Sequence, residues 1–482
     1  MTPILIISIL IGYFLLLFSI SFFTSRKASN ESFFIGERKS PWYIVSFGMI
    51  GASLSGVTFI SVPGWVGSSQ FSYMQMVLGY IVGYIVVAKI LLPVYYKLNL
   101  TSIYTYLEQR FGKVSYKTGA AFFLFSRIIG ASFRLFLVAN VLQLTVFDAW
   151  NIPFWFTVAL TILLIWLYTF KGGIRTIVWT DTLQTTFMLL AVGFSIYYIS
   201  QALDFNFSTM IAAIRESELS KTWFFNNPKE KTFFLKQFFS GAFITIVMTG
   251  LDQDMMQKNL SCKNLKEAQK NMYWYGSAFV PANLLFMSLG VLLFIFANKF
   301  NIALPEQSDN LFPLIATQGF LKPIVGVFFI LGLIAAAYSS ADSALTSLTT
   351  SFSIDILDIN NKNLNAKQKV RTRIIVHLFI SIVLALVIIA FKALNNESVI
   401  SALFKFAGYT YGPLLGLYAF GLFTKYKIVD KWVWIISLLS PLICVLINNY
   451  SQQLLFGYKF GFEILILNGL ITFAGLFLIR KK

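Results

Sequence analysis

Charge is scarce in this chain. Only 12% of its 482 residues are Asp, Glu, Lys or Arg, about half the share of an ordinary soluble domain. With 57% hydrophobic residues and a mean hydropathy of +0.73, a water-soluble enzyme of this length is excluded, because too much apolar surface would face water. Acidic residues are the scarcer sign, 20 against 38 Lys and Arg. The net charge of +18 would suggest nucleic acid in a soluble protein; here it reads as basic loops at a membrane surface, with no nucleic-acid partner. The single histidine, His377, has no metal-spaced neighbours and reads as structural, so neither a zinc site nor a His-based triad can be assembled. Cys262 in a basic loop and Cys444 in an apolar run carry no redox or metal spacing and argue against a disulfide framework. No GxxxxGK phosphate loop is present, which leaves ATP-driven pumping unsupported.

What the chain has is apolar runs long enough to cross about 30 Å of hydrocarbon. Their pattern predicts an all-α polytopic membrane protein with thirteen spans, near 3–24, 42–66, 71–96, 118–147, 152–170, 179–203, 233–256, 271–298, 322–352, 373–393, 400–424, 431–449 and 459–479. The first run lacks a basic leader and a small-residue cleavage site, so it reads as a retained span rather than a signal peptide. Every loop after an odd-numbered span is basic: Arg26, Lys27, Arg38 and Lys39 follow the first, Lys258, Lys263, Lys266 and Lys270 the seventh, and Arg480, Lys481 and Lys482 close the chain. The positive-inside rule therefore expects the N-terminus outside and the C-terminus in the cytoplasm of a plasma-membrane protein. Residues 1–482 read as one membrane domain. A unit of five spans has odd parity, so two such units in succession would lie in opposite orientation, each with an interrupted helix near its start.

Span two offers such an interruption. Gly48, Gly51, Ser53, Ser55, Gly56, Thr58, Ser61, Pro63 and Gly64 crowd it with small, polar and helix-breaking residues. Either unwound carbonyls there line a cavity and bind an ion, or small residues let two helices pack closely. Span nine places Ser339, Asp342 and Ser343 at i, i+3 and i+4, on one face, with Ser340 beside them. Hard cations take such oxygen ligands, and an intramembrane carboxylate is a functional candidate. Asp181, at the entrance of span six, either favours the helix dipole or completes a cation site. Arg134 near the middle of span four either grips a ligand carboxylate through its planar fork or forms an internal salt bridge with Asp342 or Asp181. Arg127 and Lys405 read as snorkelling side chains.

The run from Gly51 to Gly64 (GASLSGVTFISVPG), Trp179-Thr180-Asp181, Thr249 to Lys258 (TGLDQDMMQK), Ala336 to Ser343 (AAYSSADS), Gly408 to Gly416 (GYTYGPLLG) and Thr101 to Gly112 (TSIYTYLEQRFG) together resemble the sodium:solute symporter family, in the right order over nearly the whole chain. The resemblance implies a LeuT-like core of two inverted five-helix repeats, 42–203 and 233–424, with a peripheral helix at 3–24 and two more within 431–479. It implies a first sodium site from Gly51, Leu54, Ala336, Ser339 and Ser340. Sialic-acid symporters of the family have a second sodium site whose positions correspond to Asp181, Ser339, Ser343 and Asp342, an aspartate standing at 342 in place of a serine. In the same proteins the ligand carboxylate is held at positions matching Ser55, Thr58 and Arg134.

The proline symporters carry an aspartate where Ser53 stands, and the sugar symporters a Glu-Gln pair where Thr58 and Phe59 stand. The resemblance thus favours Na+-coupled import of a small carboxylate, sialic acid or a monocarboxylate, over proline, pantothenate or a sugar. It also implies a lipid bilayer and a small solute as partners, no obligatory protein partner and no enzymatic activity. A membrane sensor would usually append a signalling domain, and a channel would favour rings of charge or carbonyls.

Overall fold

The computed structural model describes residues 3–25, 30–171, 173–360, 362–394 and 399–481. Arg26, Lys27 and Lys482 of the basic-loop pattern lie outside them. Among the described residues the backbone is helical apart from loops and two isolated bridges, Ser40 with Cys262 and Ile428 with Arg480. A helix satisfies its own backbone in hydrocarbon, which is why apolar runs of this length take that form.

Nine helices among the described residues are long and apolar enough to span a membrane, and Phe234–Gly250 with Gln253–Leu260 forms a tenth span bent by 64°. Shorter apolar helices complete the set: Phe154–Thr169, the pair Val399–Thr410 and Gly412–Phe423, and Ile464–Leu478. All thirteen expected runs are therefore helical. Several helices run beyond their apolar stretch at one end. Span four begins at Lys113, span six at Ile174 and span eight at Leu265, so Lys266 and Lys270 are helical rather than loop residues. Asn264 caps the last of these, its side chain accepting from the Glu267 backbone at 3.0 Å.

The most buried spans are the second, Trp42–Ser69, and the ninth, Pro323–Ile356, with 83% and 78% of their apolar windows inside the protein, against 28% for the first span and 22% for the twelfth. Spans two, six and nine pack against one another, span eight against span two, and span three against span seven. Two glycines decide the last contact. A Cβ at Gly79 would collide with the Phe238 carbonyl, and one at Gly241 with the Met76 carbonyl, so each helix offers a notch for the other's backbone.

Both interrupted helices stand where five-span units would begin. Span two breaks at Ser55, whose φ of 38° and ψ of 175° leave the helical region. Span seven bends at residues 251–252, where Asp252 restarts the helix by accepting from the Asp254 backbone at 2.9 Å.

Candidate functional site

The break in span two is held open by its own sequence. A non-glycine residue at positive φ is strained, and here Ser55 supplies a compensation: its Oγ accepts from the Val57 backbone N–H at 3.3 Å. That bond serves the first turn of the second half-helix, whose positive dipole end faces the cavity. On the other side of the break, the Ser340 hydroxyl donates to the Ala52 carbonyl at 3.0 Å, with the Ala336 carbonyl 3.5 Å away. Gly51 lets span two approach span six, because a Cβ there would meet the Thr185 hydroxyl. Spans two and nine are thus joined at Ala52 and Ser340, while Gly51 packs on span six.

Ser339 turns the other way. Its hydroxyl donates to Asp181 Oδ1 at 2.6 Å, while Lys258 Nζ sits 2.7 Å from Oδ2. Asp181 lies two turns inside span six and is 1% exposed, so it is a buried acid and not a helix-end residue. Lys258 corrects a sequence reading. It is not a loop cation: the bent half of span seven folds it inward, and its side chain is also 1% exposed.

The remaining expected residues of the second sodium site have separate commitments. The Ser343 hydroxyl donates to Asp254 Oδ1, whose Oδ2 is paired with Arg127. Asp342 Oδ2 accepts from the Tyr168 hydroxyl at 2.8 Å, and its buried Oδ1 has no partner among the described residues. Arg127 therefore does not snorkel. It is buried between spans four and seven, with Asp252 Oδ2 also 3.9 Å from its guanidinium, and Tyr411 donates to Asp252 at 2.5 Å.

Arg134, two turns further along the same face of span four, is different. It is 7% exposed, its Nε has no hydrogen-bond partner among the described residues, and the neighbouring acids are occupied by Lys258, Tyr168 and Arg127. The internal salt bridge to Asp181 or Asp342 does not form. Arg134 instead lines a cavity of about 80 Å³ together with Ser55, Thr58, Ser53, Thr249 and a group of tyrosines. Tyr73, Tyr80 and Tyr84 come from span three and Tyr275 from span eight. Tyr84 donates to Tyr275 at 2.9 Å, Tyr275 lies 2.5 Å from Ser53 Oγ, and the Tyr73 and Tyr80 hydroxyls are 3.1 Å apart. Sequence reasoning missed this wall, although spacings of seven and four put the three span-three tyrosines on one helical face.

His377 is buried with Thr169 at 3.0 Å from Nε2 and Thr349 at 2.8 Å from Nδ1, a structural arrangement as expected. Cys262 and Cys444 are both free thiols. Among the described residues no group of His, Cys, Asp and Glu is arranged to hold a metal ion.

Comparison with known proteins converges on the same picture. The chain is 25% identical over 427 residues to a sodium/sialic acid symporter of Aliivibrio fischeri, covering 84% of this chain and 80% of that protein. It is 24% identical to a sodium/sialic acid symporter of Proteus mirabilis, covering 98% and 96%. Its fold superposes on a substrate-bound, outward-open Na+-coupled sialic acid symporter with a TM-score of 0.84 at 20% identity, covering 99% of this chain and 98% of the other. The profile of the sodium:solute symporter family matches residues 33–427. The chain belongs to the sodium:solute symporter family.

Proposed function

We propose that this protein imports a small carboxylate-bearing solute together with sodium, by alternating access. The observation that carries the reading is Arg134. A mid-membrane guanidinium without a protein counter-ion costs roughly 2.5–3.5 kcal/mol even on insertion scales, and it borders a cavity beside the Ser55 break. An anionic ligand would relieve that cost, with Ser55, Thr58 and the half-helix N-terminus adding donors. Sialic acid stands first among candidate solutes because two relatives are sodium/sialic acid symporters; monocarboxylates stand second.

Sodium, as the co-transported substrate, would be held by the carbonyls of Gly51, Leu54 and Ala336 and the hydroxyl of Ser340, with Ser339 joining them through a lone pair while its O–H stays with Asp181. Its arrival at the junction of spans two and nine would replace the Ser340 to Ala52 hydrogen bond and fix the break beside the solute. We read 42–203 and 233–424 as inverted repeats, supported by a broken helix at the start of each. The basic loops support an external N-terminus, a cytoplasmic C-terminus and residence in the plasma membrane.

The test is uptake of labelled N-acetylneuraminate, and of short monocarboxylates, into proteoliposomes under an inward sodium gradient. Sodium-dependent accumulation that disappears in Arg134→Gln is expected. No sodium-dependent uptake of any carboxylate, or full uptake by Arg134→Gln, would overturn the reading.

A further inference from the structure

Asp181 already holds a cation that belongs to the chain itself. The Lys258 ammonium lies 2.7 Å from Oδ2 and the Ser339 hydroxyl 2.6 Å from Oδ1, and both side chains of the ion pair are 1% exposed. A lysine ammonium is a compact monovalent charge with three donors. It therefore presents to this carboxylate the charge that a sodium ion would present. One carboxylate neutralises one cation, and a second cation at the same buried oxygens would face like-charge repulsion. Of the other oxygens that a sodium ion would need there, the Ser343 hydroxyl is given to Asp254 and Asp342 Oδ2 accepts from Tyr168, which leaves Asp342 Oδ1 as the one carboxylate oxygen of the group without a partner among the described residues.

We propose that Lys258 is a tethered cation occupying the second cation position, so that the protein binds one sodium ion, at the break of span two, and not two. The inference rests on the reading that the span-two junction binds sodium. Its consequence concerns charge: one sodium with one monovalent carboxylate moves no net charge. The pair also ties span six to the bent half of span seven, so the tether joins the two proposed repeats.

The experiment counts 22Na+ bound per chain on the purified full-length protein. Wild type and Lys258→Arg, which keeps the cation, are expected to bind one ion, and Lys258→Gln, which leaves Asp181 free, two. Two ions on the wild type would overturn the inference while leaving the sodium-symport reading intact; no ion on the wild type would overturn that reading instead. A folded Lys258→Gln that still binds one ion would also overturn the inference. Should Lys258→Gln fail to fold, the double variant K258Q/D181N removes both charges. It is expected to bind as many ions as wild type, and a fall from two to one between the two proteins overturns the proposal.

Discussion

The Ser340 hydroxyl donates to the Ala52 carbonyl at 3.0 Å, stitching the middle of span nine to the carbonyls freed where span two unwinds. In the function proposed above, that hydroxyl is one of the oxygens that would hold sodium. Ser340→Ala removes one side-chain ligand, which corresponds to about 1–3 kcal/mol, or roughly a five- to hundredfold weaker apparent sodium affinity. Sodium titration of uptake or of thermal stability measures it, and an unchanged sodium dependence would place the ion elsewhere.

Arg134 separates solute binding from folding. It forms no ion pair among the described residues, so Arg134→Gln strands no carboxylate. Folded yield and 22Na+ binding are expected to persist while carboxylate uptake falls below detection. A collapse in yield together with uptake would point to a structural guanidinium.

Arg127 is expected to behave in the opposite way. It is buried against Asp254, with Ser343 on the other carboxylate oxygen. Removing one partner of a buried pair leaves an uncompensated charge and costs about 3–5 kcal/mol. Arg127→Gln should therefore lower folded yield and thermal stability, and the double variant R127Q/D254N should recover much of the loss. Equal stability of the single and double variants would show that the pair is not coupled.

Cys262 gives a chemical check on the packing between spans seven and eight. Burial pushes its thiol up to about 12, so the reactive thiolate forms only at strongly alkaline pH. At pH 8 the thiolate fraction is roughly a thousandfold below that of a free cysteine. Maleimide should leave Cys262 unlabelled in the folded protein and label it after denaturation; rapid labelling in the folded state would mean that this connection opens.

The thirteen spans were legible because hydrocarbon thickness imposes a length on apolar runs, and the broken helix because helix breakers crowd 48–64. Composition alone did not say where in that stretch the helix breaks, and only the family resemblance pointed to Ser55 and Thr58. Pro63 stays inside the helix and the chain turns at Ser55, since a proline is tolerated where neighbouring helices re-satisfy the backbone. Lys258 was misread for a related reason. A lysine at the end of an apolar run looks the same whether it enters solvent or is carried inward by a bend 64° sharp, and only the tertiary partner, Asp181, distinguishes the two. The tyrosine wall went unseen because aromatic residues at helical spacing are more often plain core.

The paired notches at Gly79 and Gly241 carry a mechanical consequence. With each backbone carbonyl seated in the opposing glycine, spans three and seven cannot slide past one another without a collision of main chains, and they behave as one beam. Whatever rotation the transport cycle demands is therefore expected elsewhere than between these two helices. A one-residue insertion in either helix would throw the notches out of phase and jam the machine, however hydrophobic the inserted residue.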